Sequence, residues 1–100
     1  MNRIKKANAQ ARELRVELSG EYDLSRKEEL GLLFAALPVD RSAVIDLSRV
    51  TYVDSTFLHE LAALHCRLKE QVVALVGASS AIRRVLGIMG FDRLFRIAES

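Results

Sequence analysis

Val44-Ile-Asp-Leu-Ser-Arg-Val-Thr-Tyr-Val-Asp-Ser-Thr-Phe-Leu-His-Glu-Leu61 is the stretch from which the rest of the chain can be read. It opens with an apolar, strand-like run of Val44, Ile45 and Leu47. A turn-like Asp46-Leu-Ser-Arg49 follows, then a second short β-rich piece from Val50 to Val53. The polar trio Asp54-Ser55-Thr56 comes next and leads into an amphipathic helix. Two hydroxyls beside a carboxylate at the start of a helix are the most chemically suggestive arrangement in the sequence.

Outward from this stretch the chain alternates between strand and helix patterns. Phe57, Leu61, Leu64 and Leu68 mark the buried stripe of the helix after the trio, with Leu58 and His65 beside it. Glu60 suits the positive end of that helix's dipole. Ala43 to Leu47 is apolar on both faces save Asp46, as expected of a strand in the middle of a covered sheet. Upstream, Arg12 to Leu18 alternates, with Leu14, Val16 and Leu18 on one face, and Ser19-Gly20 can end or bend this half-buried strand. Ser25 followed by Glu28 forms a capping box, which predicts Ser25 as the N-cap of a first helix. Leu30, Leu33, Phe34 and Leu37 give that helix one buried face, and Pro38 ends it. Downstream, Val72 to Val76 is a continuous apolar strand closed by Gly77, and Ser79 or Ser80 can cap a third helix. Ile82, Val85, Leu86 and Met89 are its expected buried face, with Gly90 placed as a C′ glycine. Asp92 to Ile97 reads equally as strand or helix, and residues 1–10 as a loose segment or an edge strand anchored on Ile4.

Strands separated by single amphipathic helices imply parallel neighbours joined by right-handed crossovers. The predicted fold is α/β, a small mixed sheet of four to five strands with the helices packed mainly on one face. The 100 residues suffice for one domain with a single modest core. No tryptophan and only six aromatic residues make that core mostly aliphatic.

Composition narrows the function. A net charge of +2, with acids and bases interspersed except at Lys5-Lys6 and Arg83-Arg84, argues against a nucleic-acid surface. The basic N-terminal stretch lacks an apolar run, and no stretch reaches ~18 apolar residues, so neither a signal peptide nor membrane insertion is expected. The single cysteine, Cys66, falls within an apolar helical pattern and is expected to be a small buried side chain in a reduced, cytoplasmic protein.

Catalytic arrangements find little support. His59 and His65 lie six apart on one helix, about 240° around it, and cannot form an i, i+4 metal pair. Ser55, His59 and Asp54 could be drawn as a triad, but Gly-x-Ser-x-Gly is absent and His59 points outward one turn along the helix. A Gly-rich phosphate loop is also missing. No enzymatic activity, metal or cofactor is therefore expected. For Asp54-Ser55-Thr56 two readings stand: ordinary N-cap residues satisfying helix N–H groups, or a regulatory phosphorylation site at the positive end of a helix. In the second, Asp54 and Asp23 lie near the added charge and could bind the magnesium of a kinase's nucleotide.

Several separate stretches resemble the STAS family, the domain of sulphate transporters and bacterial anti-sigma factor antagonists. Leu18-Ser-Gly-Glu-Tyr-Asp23 resembles the family's Leu-x-Gly-Glu-apolar-Asp, and Val44 to Thr56 its central strand and signature loop. Val73-Ala-Leu-Val-Gly-Ala-Ser79 and Ile82-Arg-Arg-Val-Leu-Gly-Ile-Met-Gly-Phe-Asp-Arg-Leu-Phe95 resemble its C-terminal third. The set covers most of residues 12–97 in order and spacing.

The resemblance implies a four- or five-stranded mixed sheet with helices on one side. It implies Ser55 as the residue phosphorylated by a partner that is both serine kinase and anti-sigma factor, with Thr56 second. Asp54 and Asp23 match the flanking acids. The implied cycle has the unphosphorylated domain bind the anti-sigma factor, phosphorylation break the complex and a phosphatase restore it. The expected contact surface comprises Tyr22, Ser25, Phe57, Leu58 and His59. The chain departs from the family at Phe57, where many members carry a small residue, and at His59, where glycine is frequent; Tyr22 is a milder change. Phe57 would enlarge the docking surface, hinder a kinase cleft or cover the core. An alternative implied by the same resemblance is an unphosphorylated subunit docking on the ABC-type ATPase of a lipid-transport assembly.

Overall fold

The computed structural model describes residues 3–6 and 13–98. Strand β1 (Arg3–Lys6) runs antiparallel to β2 (Leu14–Tyr22). A single 3-10 turn (Leu24–Arg26) leads into helix α1 (Lys27–Ala35), followed by β3 (Ala43–Val53), α2 (Ser55–Arg67), β4 (Val73–Val76) and α3 (Ser80–Ile88). A second 3-10 turn (Phe91–Arg93) precedes β5 (Arg96–Ala98), so the tail left open between strand and helix contains both. The strands lie in the order β1-β2-β3-β4-β5, and β2 to β5 are mutually parallel. Of the N-terminal segment read as loose or as an edge strand, Arg3–Lys6 forms an edge strand with Ile4 opposite Val16, and residues 1–2 and 7–10 lie outside the described residues.

Sequential order with crossovers of one hand places every helix on the same side of the sheet. The packing agrees. Leu14, Val16 and Leu18 of β2, Ala43, Ile45 and Leu47 of β3, and Val73 and Leu75 of β4 form one cluster with Leu30, Phe34, Phe57, Leu61, Leu64, Ile82 and Leu86 from the three helices. The opposite face carries Arg15 and Asp46, paired at 2.7 Å. Strand β3 is central, as its apolar run predicts; the helices cover one face, and Val44 on the other is also buried.

The expected turn at Asp46-Leu-Ser-Arg49 is corrected. Ala43 to Val53 is one continuous strand. Its polar residues are absorbed as bulges: the register runs Glu17↔Asp46, then Ser19↔Arg49, Gly20↔Val50 and Glu21↔Tyr52. β3 thus spends two more residues than β2 over this stretch, which resets the alternation. Leu47 and Val50, an odd number of positions apart, both reach the core in consequence. The Asp46 carboxylate accepts from Ser48 N–H at 2.9 Å, holding the first bulge. The turn chemistry was legible, but pairing with β2 runs on to Val53 and keeps the strand intact beyond the last β4 pair at Asp46.

Three other expectations change. Ser25 is not the N-cap of α1; the carboxylate of Asp23 caps the preceding 3-10 turn through Ser25 N–H. On α3 only Ile82 and Leu86 are buried, while Val85 and Met89 are exposed. The nine-residue helix turns a single narrow stripe, Ile82 and Leu86, toward the core. Cys66 is exposed, on the side of α2 away from Leu61 and Leu64. Other local signals hold: Ser79 caps α3 by accepting from Ile82 N–H at 3.2 Å, and Gly90 is left-handed at φ +78° just after it. Arg67 of α2 donates to the carbonyls of Phe34 and Leu37 at 2.6 Å each, closing the C-terminal end of α1 upstream of Pro38.

Gly77 closes β4 at φ +75°, where an added Cβ would lie 2.9 Å from the Ser48 Cβ. Gly77→Ala should lower stability by about 1–3 kcal/mol in urea denaturation. Gly87→Ala, in open space on α3, should be neutral or stabilising by up to about 1 kcal/mol.

Burial alone would raise the Asp46 carboxyl, but hydrogen bonds from Ser48 and Arg15 outweigh it and hold the group below the usual aspartate range. A folded-state value below the unfolded one gives stability that is present above pH ~4 and lost as the pH falls through the folded value. Acid titration of stability should therefore be shallower in Asp46→Asn than in wild type below pH ~4.

Candidate functional site

The site lies at the C-terminal end of the sheet, where β2 and β3 stop together. Tyr22 pairs with Val53 in the last rung, so the residues that follow, Asp23 and Asp54, leave the sheet side by side. The backbone continues the ladder one step further, with Asp54 N–H donating to Tyr22 O at 3.2 Å. Two acids 31 positions apart in sequence are thus neighbours because parallel strands end on the same edge.

Each acid has a local structural task. Asp54 is extended and N-caps α2, its Oδ1 accepting from Thr56 N–H at 2.9 Å and Phe57 N–H at 3.3 Å. Asp23 is likewise extended and accepts from both the N–H and the hydroxyl of Ser25. The Ser25 hydroxyl and then its N–H hold the Asp23 carboxyl below its ordinary range. The capping reading of the trio is therefore correct for Asp54, and it leaves Ser55 unassigned.

Ser55 is the first residue of α2 and is exposed; Thr56 beside it is half-buried. His59 is exposed one turn further on, and Leu58 is half-buried against the core. Ser55 and His59 form the shared rim of two depressions. One, of about 260 Å³, is walled by Leu58, Ala62, Met89 and Phe91 between α2 and the end of α3. The other, of about 340 Å³, is walled by Lys27 and Thr56 towards α1.

Tyr22 and Phe57, expected on the contact surface, lie beneath it. Tyr22 is 1% exposed and Phe57 fully buried, their ring centroids 5.5 Å apart. Arg26 lies over the Tyr22 ring at 4.1 Å, donates to Ser19 O at 2.7 Å and pairs with Glu29 at 2.6 Å. The aromatic pair joins the end of β2 to the first turn of α2, so the bulk of Phe57 fills the core under Ser55 and leaves the serine uncovered. Ser25, Leu58 and His59 remain on the surface.

Sequence reading missed Lys27, which lines the second depression and approaches Glu60 at 3.7 Å. Its only signal was indirect. Gly31, one turn along α1, lets the Glu60 carboxylate come within 3.4 Å of where a Cβ would stand. Among the described residues no group of three or more His, Cys, Asp or Glu could hold a metal ion, and no helix is long and apolar enough to cross a membrane.

The division of labour at the helix start is measurable. Asp54→Ala should cost about 0.5–2 kcal/mol through the lost cap. Ser55→Ala, which touches no cap bond, should stay within about 0.5 kcal/mol of wild type in the same denaturation series.

Comparison with known proteins agrees with this architecture. The sequence model of the family described as "Mlab, STAS domain" matches residues 6–97. A STAS-domain containing protein of Pseudomonas aeruginosa is 28% identical over 94 residues, 91% of this chain and 93% of that protein. The anti-sigma-F factor antagonist RsfB of Mycobacterium tuberculosis is 33% identical over 87 residues, 82% of this chain and 70% of RsfB. The crystal structure of an anti-sigma factor antagonist from Mycobacterium paratuberculosis superposes with a TM-score of 0.78 at 28% identity, covering 98% of this chain and 84% of that one. With its helices on one face of a mixed five-stranded sheet, and its match to the family running from β1 to β5, the chain belongs to the STAS domain family.

Proposed function

We propose that this chain is an anti-sigma factor antagonist whose binding to a partner that is both anti-sigma factor and serine kinase is switched by phosphorylation of Ser55. The observation that carries this reading is the uncovered Ser55 at the start of α2, beside two strand-end aspartates and above the closed Tyr22–Phe57 pair. Kinship with RsfB, itself an anti-sigma-F factor antagonist, supports it.

In the transfer step, Ser55 Oγ attacks the γ-phosphorus of ATP held by the partner. The new O–P bond forms as the bond from the γ-phosphorus to the β–γ bridging oxygen breaks; ADP leaves and the hydroxyl proton passes to a base of the partner. This chain contributes the hydroxyl and its position, and no catalytic group of its own. Thr56, half-buried and with its N–H on Asp54, is the less accessible acceptor. The contact surface is Ser55, Leu58 and His59, with Ser25 at the neighbouring turn. Phosphorylation places about −1.5 to −2 charges on a surface that already carries Asp23 and Asp54. Repulsion and lost apolar contact then release the partner, and a phosphatase resets the surface.

A second reading uses the same surface without phosphate. The apolar wall of Leu58, Ala62, Met89 and Phe91 next to Ser55 suits docking of the unphosphorylated domain on the ATPase subunit of a transport assembly.

Incubation with the kinase partner and ATP, read by mass spectrometry, should place one phosphate on Ser55 and none on Ser55→Ala. Ser55→Asp should weaken binding to the anti-sigma factor at least about tenfold, equivalent to about 1.4 kcal/mol, with the thermal midpoint unchanged. Phosphate appearing elsewhere in Ser55→Ala would overturn the assignment. Capture of an ATPase subunit with equal affinity by wild type and the unphosphorylatable variant would favour the second reading.

A further inference from the structure

The first turn of α2 offers a phosphoryl group on Ser55 less than its position suggests. The N–H groups of Thr56 and Phe57, the donors a helix N-terminus would present to an anion, are already taken by the Asp54 carboxylate. Leu58 N–H is committed to Asp54 O at 3.3 Å. The same carboxylate, with Asp23 beside it, adds negative charge where the phosphate would sit. The Arg26 guanidinium, at the turn before α1, is held by Glu29, by the Ser19 carbonyl and over the Tyr22 ring. The wall towards α3 is apolar, formed by Leu58, Ala62, Met89 and Phe91.

Two basic side chains remain on the rim. Lys27 and His59 line one depression of about 340 Å³ with Ser55 and Thr56. His59 is one turn along α2 from Ser55, on the same side of the helix. Lys27 is half exposed, and its contact with Glu60 is loose at 3.7 Å. Glu60 is only 16% exposed, so the pair is half-buried, but at 3.7 Å it lacks hydrogen-bond geometry, and a phosphate dianion offers the open lysine stronger acceptors.

We propose that Lys27 and His59 form the cationic seat of phosphorylated Ser55, with Lys27 exchanging Glu60 for the phosphoryl group. This inference rests on Ser55 as the phosphoacceptor. It adds a bridge between the start of α1 and the start of α2 that exists only in the phosphorylated state, and it releases Glu60. The modification therefore changes the contact surface on two helices at once, and the phosphate is partly shielded from the two aspartates that would otherwise repel it.

The test uses the full chain with phosphoserine incorporated at position 55 during translation. The outcome is then independent of whether any kinase accepts Ser55, and failure of the kinase assay would leave this readout unaffected. Phosphorus NMR reads the second ionisation of the phosphoserine, ordinarily near pH ~6. A lysine that favours the dianion lowers it; Lys27→Gln should therefore titrate about 0.3–0.7 pH units higher than the parent. His59→Gln should move it in the same direction, and Glu60→Gln, which frees Lys27, should move it lower. Lys69→Gln removes the same charge beyond the far end of α2, about 20 Å away, and should leave the titration in place. An unchanged titration in Lys27→Gln, or an equal change in Lys69→Gln, would overturn the proposal.

Discussion

The parallel ladder between β2 and β3 is the constraint on which the site depends. Its last rung, Tyr22 opposite Val53, ends both strands at one level and delivers Asp23 and Asp54 to the same edge. Because each strand is followed by a helix on the same side of the sheet, the two chain exits also bring the starts of α1 and α2 together. The Tyr22–Phe57 ring pair locks that junction from below. Ser55 is exposed because the residue two positions on, Phe57, is fully buried: the helix turns one toward the core and the other away.

The same geometry gives both acids of the site a structural task. Asp54 holds the helix start, so its carboxylate is fixed beside Ser55 whether or not the serine is modified. Asp23 does the equivalent for the turn before α1. Both acids thus stand at fixed positions in a scaffold that need not rearrange for the surface charge to change. Among the described residues the core is one cluster with no buried polar side chain.

Strands with clear alternation or continuous apolar runs, helices with a single stripe, and caps made by one side chain to its own helix were legible in the sequence. Leu14 to Leu18, Phe57 to Leu68, Ser79 and Gly90 all took their expected places. Misreadings arose where a neighbour decided. Asp46 to Arg49 carried turn chemistry, yet the ladder to β2 held it as a bulged strand. Ser25 matched a capping box, but Asp23, fixed by the end of β2, captured its N–H first. Val85 and Met89 matched a helical stripe, but only Ile82 and Leu86 of that stripe pack into the core. Cys66 fell in an apolar pattern on the uncovered side of α2.

What the sequence by itself determined is the order of elements, the parallel class of the sheet and the identity of the polar corner, since these follow from local periodicity, chain connectivity and the handedness of crossovers. Which residues of that corner are available was decided only by tertiary structure. Tyr22 and Phe57 became foundation, Ser55, Leu58 and His59 became surface, and Lys27 joined them from another helix. The physical reason is that exposure and proximity between residues distant in sequence depend on which strand ends beside which, and that is set by the ladder and the core together.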